Sequence, residues 1–460
     1  MREFRRQLHV PVPVETLFSW HERPGAFQRL SPPWDRPEVL LQEGGIRDGA
    51  RVVLRVPAGP IHTTWELEHT DYIPNQQFRD VLRRGPFAHW VHTHRFAPVG
   101  PASSTVDDQI TYALPLGPLG DLFGGGFAEA TLERVFRYRY AVLEGDLARH
   151  AAFADRPRLR VAITGASGFI GSQLAAFLST GGHEVLRIGR GAVRPGVVDV
   201  AWDPERGVLD AVALEGVDAV IHLAGASIAS RWSVSHKDAM WKSRVEGTLL
   251  LARTLAGLSR KPRVLLSGSA IGIYGADRGD ELLTETSPFG DDFLARLGTA
   301  WESATAAASD AGIRVVHLRT GIVQGAAGGA LATQLPLFRC GVGGRLGSGK
   351  QWVSPIALDD EIGAIHWCLM RDDITGPVNL VAPEAVTNAT FTEVLGRVLG
   401  RPTLAAVPAV ALHAVLGEEM ARSTALASQR VRPAVLEARG FTWRHPGVAS
   451  MLRFELGLPG

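Results

Sequence analysis

Three glycines, Gly165, Gly168 and Gly171, carry the first chemical signal in this chain. They follow the apolar run Leu159 to Ile163, which reads as a buried parallel strand, and they precede a helical stretch from Ser172 to Leu178. A dinucleotide pyrophosphate sits well at a helix N-terminus, where free N–H groups and the helix dipole favour negative charge. A Cβ at the turn would hold the backbone off the phosphate, so glycine is used there. Gly165, Ala166, Ser167, Gly168, Phe169, Ile170 and Gly171 are therefore expected to line a dinucleotide site. A second strand, His183 to Ile188, leads into Gly189 and Arg190. A site that prefers NAD usually places a carboxylate at that end, to hold the ribose hydroxyls. Here Arg190 stands in that place, with Arg194 just beyond. A guanidinium there pairs with a 2′-phosphate, so the expected cofactor is NADP (NADPH).

The spacing is Gly-x-x-Gly-x-x-Gly, and the words Thr-Gly-Ala-Ser-Gly-Phe-Ile-Gly resemble the extended short-chain dehydrogenase/reductase superfamily. Further segments agree in order. Asp218-Ala-Val-Ile-His-Leu-Ala-Gly225 is similar to that group's fourth strand and the loop over the cofactor, which implies cofactor contacts at Leu223, Ala224 and Gly225. Glu246-Gly247-Thr248-Leu249-Leu250 resembles its next helix, with Arg244 just before it. Leu265-Leu-Ser267-Gly-Ser269-Ala-Ile-Gly-Ile-Tyr274-Gly275 resembles its fifth strand, which implies Ser269 as the catalytic serine and Ser267 beside the cofactor. Arg319-Thr320-Gly321 and Leu346-Gly-Ser-Gly-Lys-Gln-Trp352 narrow the resemblance to an atypical subgroup, the epimerase family proteins.

The superfamily's usual chemistry needs Tyr-x-x-x-Lys on one helix: the tyrosine moves a proton and the lysine lowers its pKa. That pair is missing. No lysine lies between Lys261 and Lys350, and Tyr274 is the only tyrosine after Tyr140. Aligned on Glu302, the expected helix places Leu294 and Gly298 where the pair would stand. Tyr274 is then the expected proton donor, with Glu302, Asp291 and Asp292 as further acids. Lys242 and Arg244 are the cations in reach of a cofactor ribose.

The elements that must position these residues fall into three segments. From 158 to 403 strands and helices alternate, the pattern of an α/β doubly wound parallel sheet, Rossmann-like. Residues 1–152 read as a strand, short helices, many antiparallel strands and one long helix from Ala128 to His150. That order resembles the SRPBCC or START-like helix-grip fold, an α+β domain that encloses an apolar cavity for an apolar ligand. The stretch Leu114 to Phe127 reads as a mobile flap or cavity mouth, and not as a phosphate loop. Residues 404–460 read as a small helical C-terminal domain, including Ser428 to Arg439. On the strand around Trp90, His92 and His94 share one face and His89 the other. The spacing shows no matching carboxylate or cysteine, so a polar strand face is expected there and no metal.

Composition bounds the partners. The 460 residues are 45% hydrophobic and 21% charged with net charge +1, so nothing argues for nucleic acid. No apolar run is long enough to span a bilayer, and no signal-like segment opens the chain. Cys340 and Cys368 are expected as buried free thiols, which suits the cytoplasm. Two functions are consistent with these features. The favoured one is an NADP-dependent oxidoreductase or epimerase acting on a small-molecule substrate. The alternative is a non-catalytic NADP(H) sensor or ligand carrier.

Overall fold

The computed structural model describes residues 1–35, 37–58 and 61–459. It has two compact units. The first holds Met1–Pro157 with Ala176–Gly182; the second holds Arg158–Ala175 with His183–Gly460.

The first unit is a seven-stranded antiparallel sheet with a long helix against it. Its strands are β1 (Arg2–Val10), β2 (Glu38–Glu43), β3 (Arg51–Ala58), β4 (Ile61–Ile73), β5 (Gln77–Arg84), β6 (His89–Gly100) and β7 (Ser103–Ala113), in the order β1-β7-β6-β5-β4-β3-β2. Helices α1 (Val14–Glu22) and α2 (Ala26–Leu30) link β1 to β2, and α3 (Pro118–Ala151) closes the unit. Burial alternates along β7, the mark of a sheet with one covered face. Phe4, Ile110, Tyr112, Leu132 and Phe136 form part of the core between sheet and α3. This is the helix-grip arrangement expected.

The expected flap is different. Helix α3 begins at Pro118 and runs through Gly124–Gly126. Proline at the first turn loses no hydrogen bond and presets φ for a helix. Gly125 leaves room for Arg2: a Cβ there would lie 1.6 Å from Arg2 Nη1.

The second unit contains an eight-stranded sheet. Its strands are β8 (Arg160–Thr164), β9 (Glu184–Gly189), β10 (Val200–Asp203), β11 (Val208–Leu209), β12 (Ala219–His222), β13 (Val264–Ala270), Arg314–Thr320 and Gly376–Leu380. They lie in the order β11-β10-β9-β8-β12-β13, then Arg314–Thr320, then Gly376–Leu380. Only the β10–β11 pair is antiparallel. Strand order reverses between β8 and β12, and ligands in such sheets bind at the carboxyl ends beside that point. Helices α4 (Phe169–Thr180), α5 (Val234–Trp241), α6 (Gly247–Gly257) and α7 (Phe293–Ser303) carry or flank the candidate residues.

Two expectations need correction here. Ser428–Val431 is a strand, parallel to Asp277–Leu283, although Ala409–Leu416 is helical as expected. Pairing with a distant strand overrides local propensity there. Cys368 is buried, with its thiol pushed up to about 12 by burial, whereas Cys340 is exposed. Among the described residues no helix is long and apolar enough to cross a membrane.

Candidate functional site

The turn from β8 into α4 needs its glycines for steric reasons. Gly165 has φ +71°, and a Cβ on it would sit 2.9 Å from Leu223 C and Ala224 N. A Cβ on Gly171 would lie 2.1 Å from the Gly165 carbonyl oxygen. Gly168 N donates to that same oxygen at 2.9 Å. Ser167 and Gly168 are exposed at the start of α4, where an anion is favoured. Ala166 is buried beneath them, and Ile170 is half-buried. Phe169 packs over Gly325 and Gly328, where a Cβ would come within 2.6 and 2.5 Å of its ring.

The facing loop is fixed by a chain of polar groups. The amides of Leu223 and Ala224 both donate to Thr164 Oγ1 at 3.1 Å. The Thr164 hydroxyl must then donate to His222 Nδ1, 2.7 Å away, so His222 carries its proton on Nε2 and donates to Thr248 Oγ1 at 2.9 Å. Burial, aided by the charge of Arg244, lowers His222 to about 4 and keeps it neutral. Arg244 lies in a π-helical turn, Lys242–Glu246, of the kind often found at functional sites. Its Nη1 donates to the Ala226 carbonyl at 2.9 Å, and its guanidinium lies over Trp301. A Cβ on Gly225 would approach its Cζ to 3.1 Å. Burial lowers Arg244 to about 10. Lys242 is instead on the surface, paired with Asp238.

Arg190 follows the last residue of β9 and is exposed, as is Arg194. Among the described residues Arg190 makes no ion pair. The neighbouring carboxylate, Asp199, accepts from the backbone N–H groups of Arg187 and Gly196, both at 2.8 Å, and so is occupied in shaping its loop.

A second cluster lies at the carboxyl end of β13. Ser267 is fully buried and sits opposite His222 in the ladder. Ser269 sits opposite Arg319, and Arg319 opposite Asn379. Ser269 Oγ donates to Glu302 Oε1 at 2.7 Å, from β13 to α7. Arg319 grips Glu302 in bidentate fashion at 2.8 and 2.9 Å. Its Nη1 also donates to the Tyr274 hydroxyl and to the Glu285 carbonyl, each at 3.0 Å. Burial pushes the Glu302 carboxyl up, but the hydrogen bonds and charge of Arg319 outweigh it, and the net shift is downward.

Tyr274 is 0% exposed. Its hydroxyl donates to Asn379 Oδ1 at 2.7 Å and accepts from Arg319. Burial raises its pKa, and Arg319 offsets only part of that. The expected proton donor is thus a hydroxyl already used on both sides, bracing the strand ends. Asp292 caps α7 through Ala295 N at 2.9 Å and holds Ala276 N at 2.6 Å; Asp291 is exposed.

The helix that would carry the usual pair is closed by packing. A Cβ on Gly298 would lie 3.1 Å from Ile273 Cβ, and Leu294 lies against Gly272. The residue that reading the sequence missed is Arg319. Its signal was a charge at the carboxyl end of the apolar run Val315-Val316-His317-Leu318, where the sites of such sheets lie.

Residues 161–380 match the model of the NAD dependent epimerase/dehydratase family. Residues 407–455 match a domain of unknown function, DUF1731, and residues 10–136 match polyketide cyclase / dehydrase and lipid transport. An epimerase family protein of Mycobacterium bovis is 42% identical over 301 residues, 65% of this chain and 98% of the relative. The chain belongs to the epimerase family. The human epimerase family protein SDR39U1 is 34% identical over 299 residues, covering 64% of this chain and 99% of its own. A crystal structure of that human epimerase family protein (isoform 2) with NADPH superposes with TM-score 0.60 at 32% identity, over 65% of this chain and all 100% of the other. The nucleoside-diphosphate sugar epimerase of Corynebacterium glutamicum covers 99% of this chain and 90% of its own, with TM-score 0.81 and 34% identity. Members of the epimerase family are NAD(P)-dependent, and the cofactor loop of this chain has the geometry that such binding needs.

Proposed function

We propose that the second unit is an NADP(H)-dependent oxidoreductase or epimerase of a small molecule. The observation that carries this is the glycine turn facing the Leu223–Gly225 loop, with Arg190 where a carboxylate would select NAD. The pyrophosphate would lie at Ser167 and Gly168, the adenosine 2′-phosphate at Arg190, and the inner ribose near Gly225 and Arg244. When bound, NADPH supplies a hydride. The chain's own groups then have to orient the reacting oxygen and manage its proton. Ser269 gives its one proton to Glu302 Oε1, so its Oγ meets the reacting oxygen as an acceptor. As the substrate alcohol gives up its hydride, its hydroxyl proton passes through Ser269 to Glu302, and carbonyl reduction runs the same relay in reverse, from a protonated Glu302. Arg319 keeps Glu302 ionised and in place. The crystal structure of the human relative with NADPH supports the choice of cofactor. The match of residues 10–136 to a cyclase and lipid-transport family supports an apolar ligand for the first unit.

A non-catalytic NADP(H) sensor is the second reading. It is favoured by the buried Tyr274 hydroxyl and the closed lysine place at Gly298. Intrinsic tryptophan fluorescence and NADPH oxidation against quinones, aldehydes and ketones separate the two. Arg190→Ala should weaken NADPH by about 1.5–3 kcal/mol and leave NADH nearly unchanged. Ser269→Ala and Glu302→Gln should each lower turnover by about 10²-fold. Tighter NADH than NADPH binding sinks the cofactor assignment. Tight NADPH binding with no turnover on any substrate favours the sensor.

A further inference from the structure

Inside the first unit, three strands bring a set of polar side chains to the face covered by α3. Asp80 on β5 sits opposite His92 on β6, and His94 sits opposite Asp108 on β7. His89 points away and is exposed. Antiparallel partners place their Cβ atoms about 5 Å apart, so the ladder alone converges these four groups. His92 and His94 are 3% and 7% exposed. Phe78 stacks on His94 at 4.2 Å, and Phe136 meets the edge of His92 at 5.6 Å.

Both imidazoles span the two carboxylates, but at different distances. Toward Asp108 Oδ1 they are at hydrogen-bond length, His92 Nε2 at 3.0 Å and His94 Nδ1 at 2.6 Å. His92 Nε2 donates to Asp108, which leaves a lone pair on His92 Nδ1; His94 Nε2 makes a long hydrogen bond to Asp80 Oδ2, so a metal ion would take the place of its proton. His92 Nδ1 and His94 Nε2 face Asp80 Oδ2 at 3.6 and 3.4 Å, and the three atoms lie within 4.8 Å of one another. A tetrahedral ion with bonds of about 2.0–2.1 Å has ligand-to-ligand edges of about 3.3 Å. The edges from Asp80 Oδ2 to the two imidazoles, 3.6 and 3.4 Å, are close to those of such a polyhedron.

The outer groups complete the pattern. Metal-bound histidine characteristically donates its other N–H to a carboxylate, which fixes the ring. Asp108 fills that role for His92, lies 2.6 Å from His94 Nδ1, and accepts in turn from the Tyr140 hydroxyl at 2.7 Å. The other oxygen of Asp80 lies 2.9 Å from His69 Nε2.

We propose that Asp80, His92 and His94 bind one divalent transition-metal ion, zinc by ligand type, with Asp108 as the positioning carboxylate. Two imidazoles and one carboxylate suit zinc and leave at least one position for water or an oxygen donor. The spacing of the histidines alone did not show this, because the carboxylates lie on the neighbouring strands.

The test uses the full chain, stripped with a chelator and titrated with Zn²⁺ by calorimetry, with retained metal counted after gel filtration. One retained equivalent is expected. His94→Ala and Asp80→Asn should lose it while circular dichroism stays native. Asp108→Asn, which keeps all three ligands, should weaken binding by about 10–100-fold. Zinc-edge X-ray absorption of the unmodified protein covers the case in which a variant does not fold. Two imidazoles with nitrogen and oxygen near 2.0 Å support the site. No retained zinc, a sulfur-ligated ion, or full retention in folded His94→Ala and Asp80→Asn overturns it.

Discussion

One guanidinium, that of Arg319, holds the Glu302 carboxylate through two hydrogen bonds and the Tyr274 hydroxyl through a third. Tyr274 stood out because no other tyrosine follows Tyr140. Its placement beside Asn379, 105 residues away, was not legible, since it depends on strand pairing across the sheet. Arg319 was visible only as part of a motif, yet it joins Ser269, Glu302 and Tyr274 into one network. Removing one member of a buried ion pair costs about 3–5 kcal/mol, so Arg319 anchors the fold as well as the site. Tyr274→Phe leaves Asn379 Oδ1 and Arg319 Nη1 each short of a partner. It should lower unfolding stability by about 1–3 kcal/mol, read by urea denaturation, with NADPH affinity unchanged. A turnover loss of about 10²-fold at unchanged stability would return Tyr274 to the role of proton donor.

At the scale of elements, β8 and its turn were legible because three glycines and an apolar run constrain each other locally. The long N-terminal extension of α3 was not. Its glycines suggested a flap, and the proline that starts the helix is a weaker mark than three glycines in a row. The strand Ser428–Val431 was hidden for another reason, since its partner strand lies about 150 residues earlier. The link between β8, β12 and α6 through Thr164, His222 and Thr248 makes a prediction about acid. Burial lowers His222 from about 6.5 to about 4, so the folded state binds its proton later than the unfolded state does. The stability that this neutral ring supplies is complete above pH 6.5 and is lost as pH falls toward 4, by about 3 kcal/mol. Urea midpoints measured from pH 7 to pH 4 should fall less steeply for His222→Gln than for the unmodified protein. Parallel curves would exclude His222 as the acid-sensitive link.

At the scale of the whole chain, the last fifty residues belong to the candidate site by their contacts. Gln429 is buried and donates through Nε2 to the carbonyls of Ile271 and Gly275, on either side of Tyr274. Asn379 Nδ2 reaches the Arg432 carbonyl at 3.0 Å, and Val435 N donates to Glu285 at 3.2 Å. A chain ending at residue 427 should keep the glycine turn and bind NADPH within a few-fold, by fluorescence titration. It should lose any turnover that depends on Ser269. Equal turnover in the shortened chain would show that this strand plays no part. The order of synthesis gives the arrangement a further meaning. A ribosome that has made the nucleotide-binding strands has still to make the strand that clamps the Tyr274 turn. The cofactor loop can therefore form on a nascent chain well before the serine and its carboxylate are locked, and a product of premature termination would sequester dinucleotide without completing the site beside it.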